Sequence, residues 1–297
     1  MKKQIALLDA PSNLGLRPPE AGSVPGCYKL PWALRDRQLL ASLAATDAGS
    51  LVPPRYQSAW TAGDGDRNAQ AIATFSGQLA DRVGAILQQE ALPLLLGGDC
   101  SILIGNTLAL KRLGRYGLVF LDAHSDFRHT GNAPAIGAAA GEDLAIVTGR
   151  GDSRLINLEQ RGPYILDEDV ILIGVRDNDD CLDELTALGL RFISSSQLAH
   201  AGVQQAAAEA LATVTRATRG FWIHLDLDVV DASEMLAVDC PEPDGPSFST
   251  LTALLKPLLA SPACAGLELT IYDPDLDPDG IYAQRITTCI SAAFGPR

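Results

Sequence analysis

The sequence predicts an α/β fold, a mostly parallel sheet with helices packed on both faces. Three observations carry this expectation. Short apolar runs that read as buried strands alternate along the chain with segments of helical periodicity. Alanine, leucine and glycine fill most of the apolar share, and aromatics are only 5% of residues, a composition that suits helices on a sheet. No internal repeat or composition break divides the 297 residues, so one domain spanning 1–297 is expected.

The elements follow in order. Ile5–Ala10 reads as the first strand. A Gly- and Pro-rich region runs from Pro11 to Arg67, with a helix near Trp32–Ala44. Over Ala69–Glu90, Ile72, Phe75, Leu79, Val83, Ile86 and Leu87 recur at helical spacing. Leu92–Leu96 is a strand, Ser101–Leu113 a helix and Leu118–Leu121 a strand. Arg128–Gly149, rich in Gly and Ala, reads as a loop. Val170–Val175 and Leu190–Ile193 are strands, Val203–Thr218 a helix and Phe221–Leu227 a strand. Ser249 can cap a helix to about Leu259, Gly266–Tyr272 is a strand, and Asp279–Ala293 is the last helix. Pro53–Asp66 reads as a surface loop rather than a linker.

Composition excludes several functions. The chain is 47% hydrophobic and 20% charged, ordinary for a globular protein, and its net charge of −13 disfavours nucleic acid and anionic membranes as partners. Met1–Leu8 has too short an apolar run for a secretory signal, and no stretch reaches the length of a membrane span. Six scattered cysteines (27, 100, 181, 240, 264 and 289) then read as reduced thiols in a cytoplasmic protein.

Three aspartate-bearing stretches demand a chemical explanation. They are Gly97-Gly98-Asp99-Cys100-Ser101, Asp122-Ala123-His124-Ser125-Asp126 and His224-Leu225-Asp226-Leu227-Asp228-Val229-Val230-Asp231. Each lies at the carboxyl end of an expected strand, the end where parallel sheets bind ligands. Any one alone reads as a turn or cap. Together they place acids at the ends of core strands, which is costly unless positive charge sits among them. Alternate residues of an extended strand point the same way, so Asp122, His124 and Asp126 can face one site, as can Asp226 and Asp228. Hard oxygens with one imidazole favour Mn²⁺ or a similar ion, and two such ions sharing a water can lower its pKa and present hydroxide to an electrophilic carbon. Cys100 is the odd member, a soft sulfur in a hard set.

These motifs resemble those of the arginase and agmatinase (ureohydrolase) family. Gly97–Ser101 is similar to that family's Gly-Gly-Asp-His-Ser, Asp122–Asp126 to its Asp-Ala-His-x-Asp, and His224–Asp231 to its Ser-x-Asp-x-Asp-x-x-Asp. The resemblance spans nearly the whole chain. It implies a three-layer α/β/α sandwich with two Mn²⁺ ions. It also implies ligand roles: Cys100, Asp122, Asp126 and Asp226 for one ion, and Asp122, His124, Asp226 and Asp228 for the other. Asp126 would accept a hydrogen bond from the bridging hydroxide and later help move its proton. Gly174–Asp179 resembles the segment whose second aspartate, here Asp179, receives a substrate's α-amino group. Family members are often trimers or hexamers, and nothing in the sequence selects a state.

The chain departs from that pattern at three places. Cys100 replaces histidine, and as a metal-bound thiolate it would weaken the Lewis acidity of its ion. Ile271 stands where arginases carry the glutamate that pairs with a charged guanidinium, and Glu268, three residues earlier, would face the other side of its strand. The loop expected to carry a His-Gly proton shuttle reads Gly137-Ala138-Ala139-Ala140-Gly141, leaving His129 and His224 as the nearby substitutes. A guanidine carrying an electron-withdrawing N-hydroxy group is less basic than arginine and can bind neutral, needing no paired carboxylate. The departures are similar to those of the family's hydroxyarginine amidinohydrolases. That similarity implies cleavage of Nω-hydroxy-L-arginine to L-ornithine and hydroxyurea, in D-cycloserine (antibiotic) biosynthesis. The alternatives are arginine, agmatine, a guanidino acid or formimidoylglutamate as substrate, or a metal-binding pseudoenzyme.

Overall fold

The computed structural model describes residues 3–295. Met1 and Lys2 of the expected leaderless start lie outside them. Eight strands form one sheet: β1 (Ile5–Asp9), β2 (Thr46–Ser50), β3 (Leu92–Leu96), β4 (Gly117–Leu121), β5 (Val170–Ile173), β6 (Arg191–Ile193), β7 (Phe221–Asp226) and β8 (Cys264–Thr270). Their spatial order is β2-β1-β3-β8-β7-β4-β5-β6, and every pairing is parallel. All residues of β3, β4, β5, β7 and β8 are buried, as a sheet covered on both faces requires.

Two apolar cores fill the two interlayer spaces. On one face, Leu94, Leu96, Val119 and Ile223 pack beneath the helices Val203–Val214, Phe248–Ala260 and Ile281–Phe294. On the other, Leu95, Phe120 and Trp222 pack beneath Ala69–Gln88 and Ile102–Leu113. The fold is thus the expected three-layer α/β/α sandwich.

Local differences have physical reasons. The expected helix at Trp32–Ala44 is two helices, Leu30–Asp36 and Leu39–Ser42, broken at Gln38, whose φ is +61°. Ser247, not Ser249, caps Phe248–Ala260, accepting the Thr250 N–H at 3.1 Å. The expected loop Arg128–Gly149 contains a short buried helix, Asp143–Val147. Strand β2 carries no apolar pattern, because it is an exposed edge. Helices Leu182–Leu188 and Ser195–Ala201 were not expected; the second opens on a Ser194–Gln197 capping box legible in the sequence.

Along the chain, β3 leads to β4, yet β8 and β7 lie between them in the sheet. That is a topological switch, and the carboxyl ends around it form the crevice in which such sheets bind ligands.

Candidate metal centre

The turn after β3 brings Cys100 over the sheet. Its tightness depends on Gly98, because a Cβ there would overlap the Ser12 carbonyl. Asp99 faces away from the site, accepting Ser12 Oγ–H at 2.7 Å and the Ser101 N–H at 2.9 Å. Cys100 starts the turn into Ile102–Leu113 and points its Sγ at Asp226 Oδ2, 2.7 Å away, and at Thr270 Oγ1, 3.4 Å away.

Asp122 follows β4, and Asp226 ends β7. Asp122 Oδ1 accepts the His124 N–H at 2.7 Å, and Asp226 Oδ1 accepts the Asp228 N–H at 2.9 Å. Each thereby turns the chain so that the next acid or imidazole faces the same space. His124 Nδ1 lies 3.0 Å from Asp228 Oδ2 and 3.7 Å from Asp122 Oδ1. Asp126 has φ +44°, a strained backbone for an aspartate and a common mark of functional turns. Ligand atoms of Asp122, His124 and Asp126 lie within 4.8 Å of one another, as do those of Asp122, Asp226 and Asp228, and of Cys100, His224 and Asp226. All six residues expected as ligands from the sequence therefore converge.

The electrostatics of the cluster suit a cation. Asp122, Asp126 and Asp226 all have carboxyls held above their usual range, first by burial and then by neighbouring carboxylates, with Asp228 acting on all three; Asp126 is pushed up to about 7. Burial, then Asp226 and its neighbours, holds the Cys100 thiol well above its ordinary value. Burial alone would lower His124, but Asp122 and Asp228 overcome it and raise the imidazole. Asp122 Oδ2 is buried without a hydrogen-bond donor. Divalent ions would reverse each shift, keeping the acids ionised and the sulfur a thiolate. The donor set fits two such ions.

A cavity of about 400 Å³ opens onto this cluster, lined by His124, Asp126, Asp226 and Asp228. Ile271 forms part of its wall, buried and with φ +69°, rare for a β-branched residue. Asp179 also lines it, although its carboxylate already accepts the N–H of Ser125 and of Cys181, both at 2.9 Å. The expected substitute shuttles do not reach it. His129 turns to Glu184, 3.1 Å away, and His224 is fully buried below the acids, with neither among the lining residues.

The sequence reading missed three contributions. Arg17 and Arg128 stand at the cavity, the only arginines there besides Arg176 among the described residues. Arg176 is buried and donates to the carbonyls of Gly174, Pro243, Val229 and Glu242, fastening the loop after Asp228 to the rim. Asp143, on the short unexpected helix, is fully buried beside the cluster. Its signal was weak, an isolated Glu-Asp pair in a Gly- and Ala-rich stretch.

Comparisons with known proteins agree with this fold. The profile of the arginase family matches residues 4–294. The chain is 31% identical over 222 residues to an arginase of Brevibacillus brevis, covering 74% of each. It is 26% identical to an arginase of Staphylococcus aureus strain COL over 99% of this chain and 97% of that one. The crystal structure of arginase from Bacillus caldovelox superposes with a TM-score of 0.89 at 26% identity, covering 99% of both chains.

Proposed function

Because this chain belongs to the arginase family, whose members are hydrolases of carbon–nitrogen bonds in linear amidines, we propose that it hydrolyses Nω-hydroxy-L-arginine to L-ornithine and hydroxyurea. The reading takes 1–297 as one arginase-like domain using two Mn²⁺ ions. The observation that carries the substrate assignment is Ile271. An apolar wall at that point of the cavity offers a cationic guanidinium no partner, whereas an N-hydroxyguanidine can enter uncharged.

Cys100, Asp122, Asp126 and Asp226 would hold one ion, and Asp122, His124, Asp226 and Asp228 the other. When bound, the ions lower the pKa of water and polarise the guanidine. The protein's own part is to position and to move protons. Asp126 accepts a proton from the attacking water and returns it as the amine of ornithine departs. Asp179 faces the α-ammonium group, and Arg17 and Arg128 suit the α-carboxylate of a free amino acid. Ala140 contributes nothing ionisable where a shuttle would stand. An N-hydroxy group, less basic and itself able to exchange a proton, reduces the need for one.

All six cysteines are unpaired. No described helix is long and apolar enough to cross a membrane. A cytoplasmic enzyme of an antibiotic pathway, with a small-molecule substrate, is consistent with both.

The named relatives favour a second reading, arginine itself. Assaying hydroxyarginine, arginine, agmatine and formimidoylglutamate for hydroxyurea, urea or formamide separates the possibilities. Turnover of none of them by protein holding two ions would favour a non-catalytic role.

A further inference from the structure

His224 occupies a position the proposed reaction leaves unused, and its surroundings are those of a metal ligand. The sheet register sets a row across three strands: Phe120 on β4 is partnered with His224 on β7, and His224 with Glu268 on β8. Phe120 stacks on the imidazole at 4.4 Å between ring centroids, fixing the ring plane. His224 Nδ1 lies 2.6 Å from Glu268 Oε1, and Glu268 Oε2 is held by the Asn106 amide. A buried carboxylate accepting from Nδ1 sets the tautomer, so that Nε2 carries the lone pair.

Nε2 aims at the cluster and finds no hydrogen-bond partner there. His224 is fully buried, out of reach of bulk solvent. The nearest carboxylate, Asp143 Oδ2, is 3.9 Å away, too far for a hydrogen bond, and both oxygens of this fully buried residue are likewise without donors. Two ligands of one ion, each about 2.1 Å from it, can stand up to about 4.2 Å apart. Asp226 lies two residues beyond His224 on the same strand face, and Cys100 Sγ, His224 and Asp226 have ligand atoms within 4.8 Å of one another.

We propose that His224, through Nε2, is a ligand of the Cys100 ion, with Asp143 as a further carboxylate at that position. The imidazole lost at position 100 is thus supplied from β7, across the intervening β8. The inference rests on the metal reading of the site and extends its donor set to sulfur, nitrogen and oxygen. Such a mixture also accommodates a borderline ion such as Co²⁺, which can stand in for Mn²⁺ at that position as a probe.

The test loads the whole protein with Co²⁺ and records its paramagnetically shifted proton spectrum in H₂O and D₂O. Each cobalt-bound imidazole keeps one exchangeable N–H. The wild type is expected to show two such resonances, from His124 and His224, with the His224 proton slow to exchange because Glu268 buries it. Equilibrium dialysis of Glu268→Gln should show one of two Co²⁺ ions weakened by about 10–100-fold, and His224→Asn should lose one shifted resonance. Two tightly held ions with a single shifted imidazole proton in the wild type would overturn the assignment of His224 while leaving the metal centre intact. Failure of the wild type to bind Co²⁺ would overturn both.

Discussion

Cys100 Sγ and Asp226 Oδ2 stand 2.7 Å apart at the carboxyl ends of β3 and β7, strands separated in the sheet by β8. Thr270, the β8 partner of Asp226, lies 3.4 Å from the same sulfur. The sulfur therefore belongs to the acid cluster rather than to the apolar core around it, and that placement governs the predictions.

Cys100→Ala should leave the fold intact and weaken one of two ions. Cys100→His should restore the family's donor and raise kcat/KM for arginine by about tenfold, near 1.4 kcal/mol. Metal titration and steady-state kinetics check both. Unchanged ion affinity in Cys100→Ala would remove the sulfur from the coordination sphere.

Ile271→Glu should place a carboxylate on the cavity wall. The expected result is a lower KM for arginine, by about tenfold, with a Tm lowered by the cost of a partly desolvated charge. An unchanged arginine KM would mean that the wall does not meet the guanidine end of the substrate.

Asp179→Asn separates two roles of one residue. Its oxygens hold the N–H groups of Ser125 and Cys181, so the variant should lose about 1–2 kcal/mol of stability. If it also meets the α-ammonium group, KM for hydroxyarginine should rise about tenfold or more while kcat changes less. Equal kinetics with lowered stability would leave it a turn residue only.

A pH effect is expected at the other side of the cavity. Glu142 and Asp66 are buried close together near the Ala138–Gly141 turn, where Glu142 accepts the Ala138 N–H at 3.2 Å. Burial, then Asp66, pushes Glu142 from 4.5 to about 8; burial, then Asp152, pushes Asp66 from 3.8 to about 6. Folded carboxyls with raised pKa hold protons that the unfolded chain has released. Their contribution is therefore greatest below about 4 and is lost as pH rises to about 8. Glu142→Gln should flatten that decline and raise Tm at pH 8 by a few degrees, the scale of about 1 kcal/mol. Thermal denaturation of the metal-loaded proteins from pH 5 to 9 checks it; parallel profiles would show that the pair does not titrate in this range.

The legible parts of the molecule were those with a strong local signal. The apolar runs Leu92–Leu96 and Leu118–Leu121 marked core strands because burial on both faces leaves no room for polar residues. The aspartates of Asp122–Asp126 and Asp226–Asp228 were legible as one site because each closes such a run. β2 was hidden, since an exposed edge strand needs no apolar run to mark it. The position of His224 was visible but its role was not: only the cross-strand register shows Phe120 stacked on one side and Glu268 on Nδ1. Asp143 sits on a helix too short to show a period, and Arg128 reaches the cavity along a loop.

The most direct measurement compares kcat/KM for Nω-hydroxy-L-arginine and L-arginine on the same metal-loaded protein at neutral pH. A preference for hydroxyarginine of about a hundredfold or more is predicted, the scale of leaving one guanidinium charge unpaired at the Ile271 wall. Equal or faster turnover of arginine would contradict the account.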